Sequence, residues 1–532
     1  MTADYFVSLL CSESACSVSV PGHLRAATCS FGVLNMLKPL DIETLPIYRR
    51  LAYFYEQAIA SGSLKPGMKL PSVRELRQRH RVSLSTALQV LRSLEDARLV
   101  EARERVGYFV RVPVEQAMAA LPAVREPDLR KPLKPDVQAF AGVNERISVI
   151  LEKARLAGPL RVDLGSAMPA PSLFDTAALN RLATGLLREQ PDIWVHGPSA
   201  PSTHVLFQEV MARHALGFGV SIAPRHVSAT LGNSEAVNLA LEAVAQPGDV
   251  VAVESPTFHG ILQAIEVQGM RALEIPCSPQ TGLSLEALEL AIRTEPRLKA
   301  VVVVPHLQMP MGCMMPDAHK QRLVRLCADH GLALIEDDIY REFVETDQVL
   351  RPAKAWDAVG EEGCVIYCAS LSKSFAPGLR QGWMSAGRWH ARVQMFKFAR
   401  TRNMQTWSQL LAARILDSPA YERHLRRLRT ALRVQREQAA QAIARHFPQG
   451  TRFSLPPGGL SLWMELPPQV SSSRLYDDAL ARGIRVAPGP MFSNTGQYEH
   501  FLRLSCGLPF TPEVEHAYRE LGGLMRKQMD AA

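Results

Sequence analysis

The sequence has no long hydrophobic run. Although 47% of its 532 residues are hydrophobic, no stretch approaches the roughly 18 consecutive apolar residues of a membrane-spanning helix. The first 35 residues begin with a short apolar stretch that no basic region precedes, which argues against a secretory signal. We therefore expect no membrane association. We assign no role to the tail formed by residues 1–40: residues 1–35 are either disordered or precede a true start at Met36.

Cysteine is sparse and has no ligand-like spacing. The nine cysteines are scattered along the chain, so we expect reduced thiols in a cytoplasmic protein and no metal site. A strong excess of one charge is also missing, because the net charge is only +8. That charge is uneven, however: residues 41–112 contain 13 Lys and Arg against 8 Asp and Glu. A basic segment of this size predicts an anionic partner.

The basic segment, residues 41–112, shows the pattern of three helices and a hairpin. Residues 46–60 repeat apolar residues at helical spacing, and Ser72 to Glu75 has the pattern of a capping box that starts a second helix. A third helix starts at Ser83, and two short strands follow between residues 99 and 112. The apolar face of the first helix is predicted to contain Ile47, Leu51, Phe54 and Ala58. This order predicts a winged helix-turn-helix.

A winged helix-turn-helix inserts the first turn of its third helix into the major groove of DNA. Hydroxyl, amide and guanidinium groups at that turn and on the wing would contact phosphates and base edges. The candidate DNA-binding residues are Arg74, Ser83, Ser85, Thr86, Gln89, Arg105 and Arg111. The alternative is that this basic module binds another protein.

The rest of the chain changes in texture after a proline-rich stretch. Residues 113–159 are predicted to be an extended linker, because five prolines lie among charged residues between positions 113 and 135. Residues 160–528 alternate apolar runs with helical segments, which is typical of buried parallel strands in an α/β domain. Ligands of such sheets bind beyond the carboxyl ends of the strands.

One lysine follows such a strand in a setting suited to covalent chemistry. Lys373 lies between small hydroxyl residues, and a lysine that attacks an aldehyde must be partly desolvated so that its amine is often neutral. Ser370, Ser372 and Arg380 would bind a phosphate beside it. The backbone N–H groups of residues 232–234, which begin a helix, also suit a phosphate. Taken alone, the first pattern is common in loops and the second is compatible with simple helix capping.

These motifs resemble those of a known family. Ser370-Leu-Ser-Lys-Ser-Phe-Ala-Pro-Gly-Leu-Arg-Gln-Gly-Trp is similar to the cofactor-lysine segment of fold-type I pyridoxal-phosphate enzymes. Residues 65–74 and 82–86 resemble the DNA-binding signature of GntR-type regulators. From about residue 45 to residue 523 the chain resembles MocR-type regulators of the GntR superfamily. The resemblance implies an α/β chain in which a winged helix-turn-helix precedes a fold-type I aminotransferase-like domain, itself a large parallel-sheet part and a small C-terminal part.

The resemblance also implies roles for single residues around pyridoxal 5'-phosphate. Lys373 would form the Schiff base, Asp337 would pair with the ring nitrogen, and Tyr340 would reach the phenolic oxygen. Phe258 would stack on the ring and Arg503 would hold a substrate carboxylate, although a core phenylalanine and an ordinary strand arginine are the alternatives. The other implied cofactor contacts are Gly232, Asn233, Ser234, Gln308, Ser370, Ser372 and Arg380.

Three positions depart from the family pattern. Met309 stands where relatives have an asparagine that bonds the ring oxygen, and Gln308 is the expected substitute, since methionine cannot donate. Trp194 or His196 replaces a tyrosine that relatives extend across a dimer interface. Leu84 stands where GntR-type regulators often have an arginine.

We therefore expect a transcription regulator that binds operator DNA and senses an amine or amino acid through its cofactor domain. We also expect a homodimer. A working aminotransferase with a fused DNA-binding domain is the alternative. A regulator that has lost the cofactor is the third hypothesis, and it conflicts with the joint retention of Lys373, Asp337, Tyr340, Arg380 and Arg503.

Overall fold

The computed structural model describes residues 45–103, 106–111, 123–126, 128–130, 142–195, 203–346, 348–358 and 362–532. Residues 1–40, the predicted wing residue Arg105 and His196 lie outside these ranges. The chain divides between Pro113 and Val114 into two compact units, which we call the N-terminal unit and the large unit. No helix in the described ranges is long and apolar enough to cross a membrane.

The N-terminal unit is a winged helix-turn-helix, as predicted. Its elements are α1 (Ile47–Ala60), α2 (Val73–His80), α3 (Leu84–Asp96), β1 (Val100–Arg103) and β2 (Gly107–Val110). The two strands are antiparallel. Ser72 and Glu75 form the predicted capping box at the start of α2, with each side chain bonded to the other's backbone N–H. The core is formed mainly by the inner face of α3, where Ala87, Val90, Leu91 and Leu94 are buried.

The buried face of α1 differs from the apolar face that we predicted. Ile47 and Phe54 are 59% and 58% exposed, whereas Ala52 and Tyr55 are buried. The hydroxyl of Tyr55 lies 3.0 Å from a ring nitrogen of His80 on α2. Apolar residues occupy more than one side of α1, so helical spacing alone could not identify the side that α2 and α3 cover.

Part of the predicted linker is an ordered helix of the large unit. Within residues 113–159 the structure contains α4 (Val143–Leu156), so the linker assignment is wrong for that segment. Ile147 is buried in the core of the large unit, and Glu266 accepts bonds from the backbone N–H groups of Gly142 and Asn144. The prolines that suggested a linker all precede this helix.

The large unit is built on one sheet of eight strands in the order β4-β11-β10-β9-β8-β5-β6-β7. Strands β6, β5, β8, β9 and β10 run parallel, and β11 is antiparallel to both of its neighbours. The elements as far as the last helix before the small part are β3 (Val162–Asp163), α5 (Thr176–Glu189), α6 (Val205–Leu216), β4 (Ser228–Thr230), α7 (Gly232–Val244), β5 (Val250–Ser255), α8 (His259–Val267), β6 (Arg271–Ser278), β7 (Gly282–Leu283), α9 (Leu285–Thr294), β8 (Leu298–Val303), α10 (Asp317–Asp329), β9 (Ala333–Asp337), β10 (Val365–Ser370), β11 (Gly382–Ser385), α11 (His390–Thr401), α12 (Thr406–Leu416) and α13 (Pro419–His446).

A smaller C-terminal part packs around a second sheet. Its elements are β12 (Arg452–Phe453), β13 (Ser461–Glu465), α14 (Ser472–Leu480), β14 (Ile484–Arg485), β15 (Ala487–Pro488), β16 (Phe501–Ser505) and α15 (Pro512–Asp530). The sheet order is β12-β13-β16-β15, and β14 pairs with β3. The parallel core of the large sheet and the small C-terminal part were predicted, whereas the antiparallel strand β11 was not.

Candidate functional site

A cavity of about 160 Å³ lies at the carboxyl ends of the parallel strands. It brings together most of the predicted cofactor residues, although they are distributed over more than 140 positions of the chain. The predicted residues that line it are Asn233, Ser234, Phe258, Asp337, Tyr340, Ser372, Lys373 and Arg380. Strand ends of an open α/β sheet converge at one edge, which is why residues so distant in sequence meet here.

Lys373 lies in the turn after β10, and its amine is largely removed from water. Burial, together with the positive charge of Arg503, lowers the pKa of Lys373 to about 8, although the carboxylate of Asp337 opposes both effects. The amine donates a hydrogen bond to the carbonyl oxygen of Ala167 at 2.7 Å. About a tenth of this amine is therefore neutral at pH 7, and the neutral form is the one that attacks an aldehyde.

Asp337 ends β9 and directs its carboxyl group into the same cavity. Burial raises the pKa of Asp337 to about 7, although a bond from the backbone N–H of Ile339, 3.2 Å long, favours the charged form. The side chain of Asn233 also bonds this carboxyl group, and its own oxygen Oδ1 is buried without a partner among the described residues. A buried carboxyl group of this kind is suited to pair with a protonated ring nitrogen.

The start of α7 faces the guanidinium group of Arg380. Gly232 has a positive φ of 77°, and a Cβ atom there would lie 2.9 Å from Nη2 of Arg380, so glycine is needed for this close approach. Free N–H groups of the first helical turn, a guanidinium group and the Ser372 hydroxyl together suit a phosphate. The aldehyde-reactive amine, the carboxyl group and this anion-binding end fit pyridoxal phosphate.

Ser370 does not line the cavity, contrary to the prediction that it contacts the cofactor. Its hydroxyl donates to the carbonyl oxygen of Gln381 at 3.0 Å and accepts from the backbone N–H of Ser372 at 3.1 Å. Ser370 therefore holds the turn that presents Ser372, because its own hydroxyl is already used within the turn.

Gln308 is also turned away from the cavity, so its predicted contact with the cofactor is not formed. Its amide nitrogen donates to the carbonyl oxygen of Pro256 at 2.6 Å, and its oxygen accepts from the backbone N–H of Met311 at 3.1 Å. Met309, one position further, lines the cavity instead. Neighbouring residues of this turn face different directions, and therefore a glutamine beside position 309 does not replace a donor at 309.

Two aromatic rings flank the cavity. The ring of Phe258 lies against Gly260, where a Cβ atom would come within 2.5 Å of it. The ring centre of Tyr340 lies 6.0 Å from the Lys373 amine, and burial raises the pKa of Tyr340, which keeps its hydroxyl protonated. Trp194 does not reach the described cavity, because it is 62% exposed and packs on Trp407 with ring centres 5.1 Å apart.

Arg503 lies on β16 beside the cavity. Its guanidinium group donates to the carbonyl oxygen of Gly165, and its Nε is buried without a partner in the described part of the chain. Burial lowers the pKa of Arg503 to about 10. Both Arg503 and Lys373 thus bond carbonyl groups of residues 165–168, a segment after the short strand β3 that we call the covering segment. Its Met168 lines the cavity.

The covering segment and the apolar lining were missed in the sequence. The unpredicted lining residues are Met168, Val237, Asn238, Gly260, Ile261, Ala264, Val304, Met309 and Ile339. Next to Phe258, His259 has a buried Nδ1 without a partner in the described ranges, and burial lowers its pKa to about 4. In the sequence, these residues look like those of any buried helix or strand, so no local signal marks them as part of a site. Asp338, the residue after Asp337, bonds His306 at 2.5 Å and pairs with Arg341 at 3.1 Å.

In the N-terminal unit, the predicted DNA-binding side chains cluster at the start of α3. Ser83 caps the helix by accepting from the backbone N–H of Thr86 at 3.1 Å, and its hydroxyl lies 2.8 Å from that of Ser85. Ser85 and Gln89 are exposed, as is Arg74 on α2. Leu84 is 52% exposed. Arg111 is half-buried and interacts within the protein.

The raised pKa of Asp337 predicts that the stability of the cofactor-free protein depends on pH. Its pKa is raised in the folded protein, so the folded state holds a proton that the unfolded chain releases between about pH 4 and about pH 7. The free energy of unfolding of the cofactor-free protein therefore falls as the pH rises through this range, by at most about 4 kcal/mol from this group. Asp337→Asn removes the effect.

Denaturant unfolding of both cofactor-free proteins, followed in the large unit, measures this cost. The free energy of unfolding of the variant, minus that of the parent, should be larger at about pH 8 than at about pH 5. A difference that is the same at both pH values would show that the buried carboxyl group has an ordinary pKa.

Comparison with known families matches both units. Residues 47–110 match the family of bacterial regulatory proteins named gntR, and residues 199–521 match aminotransferase class I and II. Membership of the second family implies pyridoxal phosphate as the cofactor of the large unit, and membership of the first implies DNA binding.

Similar proteins include regulators and enzymes. The HTH-type transcriptional regulators YjiR and YdcR of Escherichia coli are each 33% identical over 91% of this chain and 99% of their own length. The 2-aminoadipate transaminase of Thermus thermophilus is 28% identical over 69% of this chain and 90% of its own. Among solved structures, LysN of Thermus thermophilus, complexed with N-(5'-phosphopyridoxyl)-L-leucine, is 25% identical with a TM-score of 0.65, covering 75% of this chain and 100% of its own.

The match to YjiR and YdcR extends over both units of this chain and over nearly the full length of each regulator. The chain belongs to the MocR-type transcription regulators of the GntR superfamily.

Proposed function

We propose that this protein is a cytoplasmic regulator that binds operator DNA through its N-terminal unit and senses an amine or amino acid at Lys373. One observation carries the proposal: a single chain joins a winged helix to a cavity in which an amine of lowered pKa lies near a buried carboxyl group. The DNA partner is the reason for a cytoplasmic location.

The chemistry of sensing depends on the residues of the cavity. Pyridoxal phosphate supplies an aldehyde carbon that exchanges one amine for another and a ring that accepts electrons. Lys373 would provide the amine that bonds this carbon, and its lowered pKa suits that role near neutral pH. Asp337 would keep the ring nitrogen protonated, and the N–H groups at the start of α7 would bind the phosphate.

An amino acid ligand would compete with the covering segment. Lys373 and Arg503 donate to the carbonyl groups of Ala167 and Gly165. A ligand carboxylate is a stronger acceptor for Arg503 than a backbone carbonyl, since the pair is charge-assisted and bidentate. Binding would therefore release the carbonyl group of Gly165 from Arg503. This difference between the free and bound states is what a regulator needs in order to shift a conformational equilibrium.

A working aminotransferase is the second candidate. The observation in its favour is that Lys373, Asp337 and Tyr340 line one cavity. Met309 in the same lining has no hydrogen to donate to the ring oxygen, which favours sensing over turnover. The two functions differ in product: a sensor gives one spectral change per site, whereas an enzyme releases keto acid over many cycles.

We also propose a homodimer that binds two half-sites in the operator. In support, the adjacent apolar residues Trp194 and Val195 are 62% and 80% exposed, so a second copy of the chain could cover them. Two linked N-terminal units bind DNA more tightly than one, because binding of the first raises the effective concentration of the second at its half-site.

The hydroxyl side chains at the start of α3 offer a way to change DNA binding without changing cofactor binding. Replacing both Ser85 and Thr86 by alanine should weaken operator binding, because these side chains lie at the helix start that enters the groove. The visible spectrum of the bound cofactor should not change. Gel retardation and absorption spectra test this. Equal loss of both properties would show that the two units do not function as separate modules.

The role of Lys373 is tested by Lys373→Ala. The variant keeps Ser234, Arg380 and Asp337, so it should bind pyridoxal phosphate reversibly and more weakly, without a covalent bond. It should bind operator DNA like the parent but not respond to the amine that changes the parent's affinity, because amine exchange has no resident amine to displace. Operator affinity is measured for both proteins with and without that amine. A normal response in the variant would contradict the proposal.

A further inference from the structure

Helix α13 donates side-chain hydrogen bonds to two turns that carry site residues and to a loop of the small part. His424 Nε2 lies 2.8 Å from the carbonyl oxygen of Ser374. Arg429 Nε donates to the carbonyl oxygen of Glu342 at 2.6 Å. Seven residues later, Arg436 Nη1 donates to the carbonyl oxygen of Gly459, in the loop before β13, at 2.8 Å.

The contact of His424 reaches the residue next to Lys373. His424 is buried, and its ring stacks on Phe174 with centres 5.9 Å apart and meets Phe375 edge-on at 4.8 Å. A carbonyl oxygen can only accept, so Nε2 carries the proton in this arrangement. The other ring nitrogen, Nδ1, accepts a bond of 3.5 Å from Nη2 of Arg427. Two aromatic contacts and two hydrogen bonds leave the imidazole little freedom, and the backbone at Ser374 is therefore fixed to α13.

The contact of Arg429 reaches the turn that contains Tyr340. Glu342 lies two residues after Tyr340, and its backbone carbonyl is held by Arg429 Nε. Its carboxylate pairs with Arg341 at 2.7 Å and also lies 3.4 Å from Arg429 Nη2. The turns that carry Lys373 and Tyr340 follow different strands, β10 and β9, and both are bonded to the same rigid helix.

We propose that His424 and Arg429 are positioning residues of the cofactor site, which act by holding the turns of Lys373 and Tyr340 at a fixed separation. Neither side chain lines the cavity. The inference rests on the proposed covalent role of Lys373. Without the donor of His424, the turn at residues 371–376 is held less firmly, and the Lys373 amine spends less time where the cofactor aldehyde must lie.

A pair of substitutions separates the hydrogen bond from the packing of the ring. His424→Leu fills space but cannot donate, whereas His424→Gln places an amide nitrogen at a reach similar to that of Nε2. The matched control is Arg426→Ala, on the exposed side of the same helix. Each protein is loaded with pyridoxal phosphate, and two properties are measured: the rate of cofactor loss on dilution, and the pH midpoint of its visible band.

We expect His424→Leu to lose the cofactor about fivefold faster than the parent, the size of effect that one hydrogen bond produces. Its pH midpoint should shift by about half a unit or more, and amides of residues 371–376 should exchange hydrogen faster in the cofactor-free protein. His424→Gln should restore most of each property, and Arg426→Ala should match the parent.

Parent-like cofactor loss and midpoint in His424→Leu would overturn the proposal. If that variant does not fold, His424→Asn takes its place, since its shorter amide does not reach Ser374, and Arg429→Met tests the second contact by the same measurements. The failure of the proposed function is distinguishable: it would appear as a parent protein with no visible cofactor band, whereas failure of this inference leaves the band present and the variants unchanged.

Discussion

Burial of the Lys373 amine is the interaction on which the rest of the site depends. Removing an ammonium group from water is costly, and the structure reduces the cost by lowering the pKa to about 8 and by bonding the amine to Ala167. Burial also disfavours the charged form of Asp337, an acid, and therefore raises its pKa to about 7. Both groups therefore exist partly in neutral form at physiological pH. The cofactor offers each of them a partner, a carbonyl carbon for the amine and a ring nitrogen for the acid.

The sheet and helix α13 provide the rigidity that these two groups need. Lys373 and Asp337 follow neighbouring parallel strands, β10 and β9, whose register places Cys368 beside Asp337. Strand β11 returns antiparallel beside β10 and closes the turn that contains Lys373 and Arg380. In the covering segment, the carbonyl groups of Gly165 and Ala167 accept hydrogen bonds from Arg503 and Lys373, so a ligand that binds these side chains would compete with this segment.

The sequence was sufficient for features that depend on local chemistry. The capping box at Ser72 and Glu75, the three helices of the N-terminal unit and the strands that precede Asp337 and Lys373 all follow from local patterns. It was insufficient where direction or packing decides. Gln308 and Ser370 have suitable side chains beside the site, but their turns direct them into backbone contacts. The buried side of α1 and the helix inside the supposed linker depend on neighbours that no local pattern identifies.

In the proposed function, amine exchange at Lys373 couples ligand binding to DNA binding. An absorption spectrum of the purified protein during titration with candidate amines and amino acids tests this most directly, with operator affinity measured at each step. We expect one amine to change the visible band in proportion to the number of sites and, over the same concentrations, to change operator affinity, with no keto acid released. A spectral change that leaves operator affinity constant while keto acid accumulates would contradict sensing and identify an enzyme.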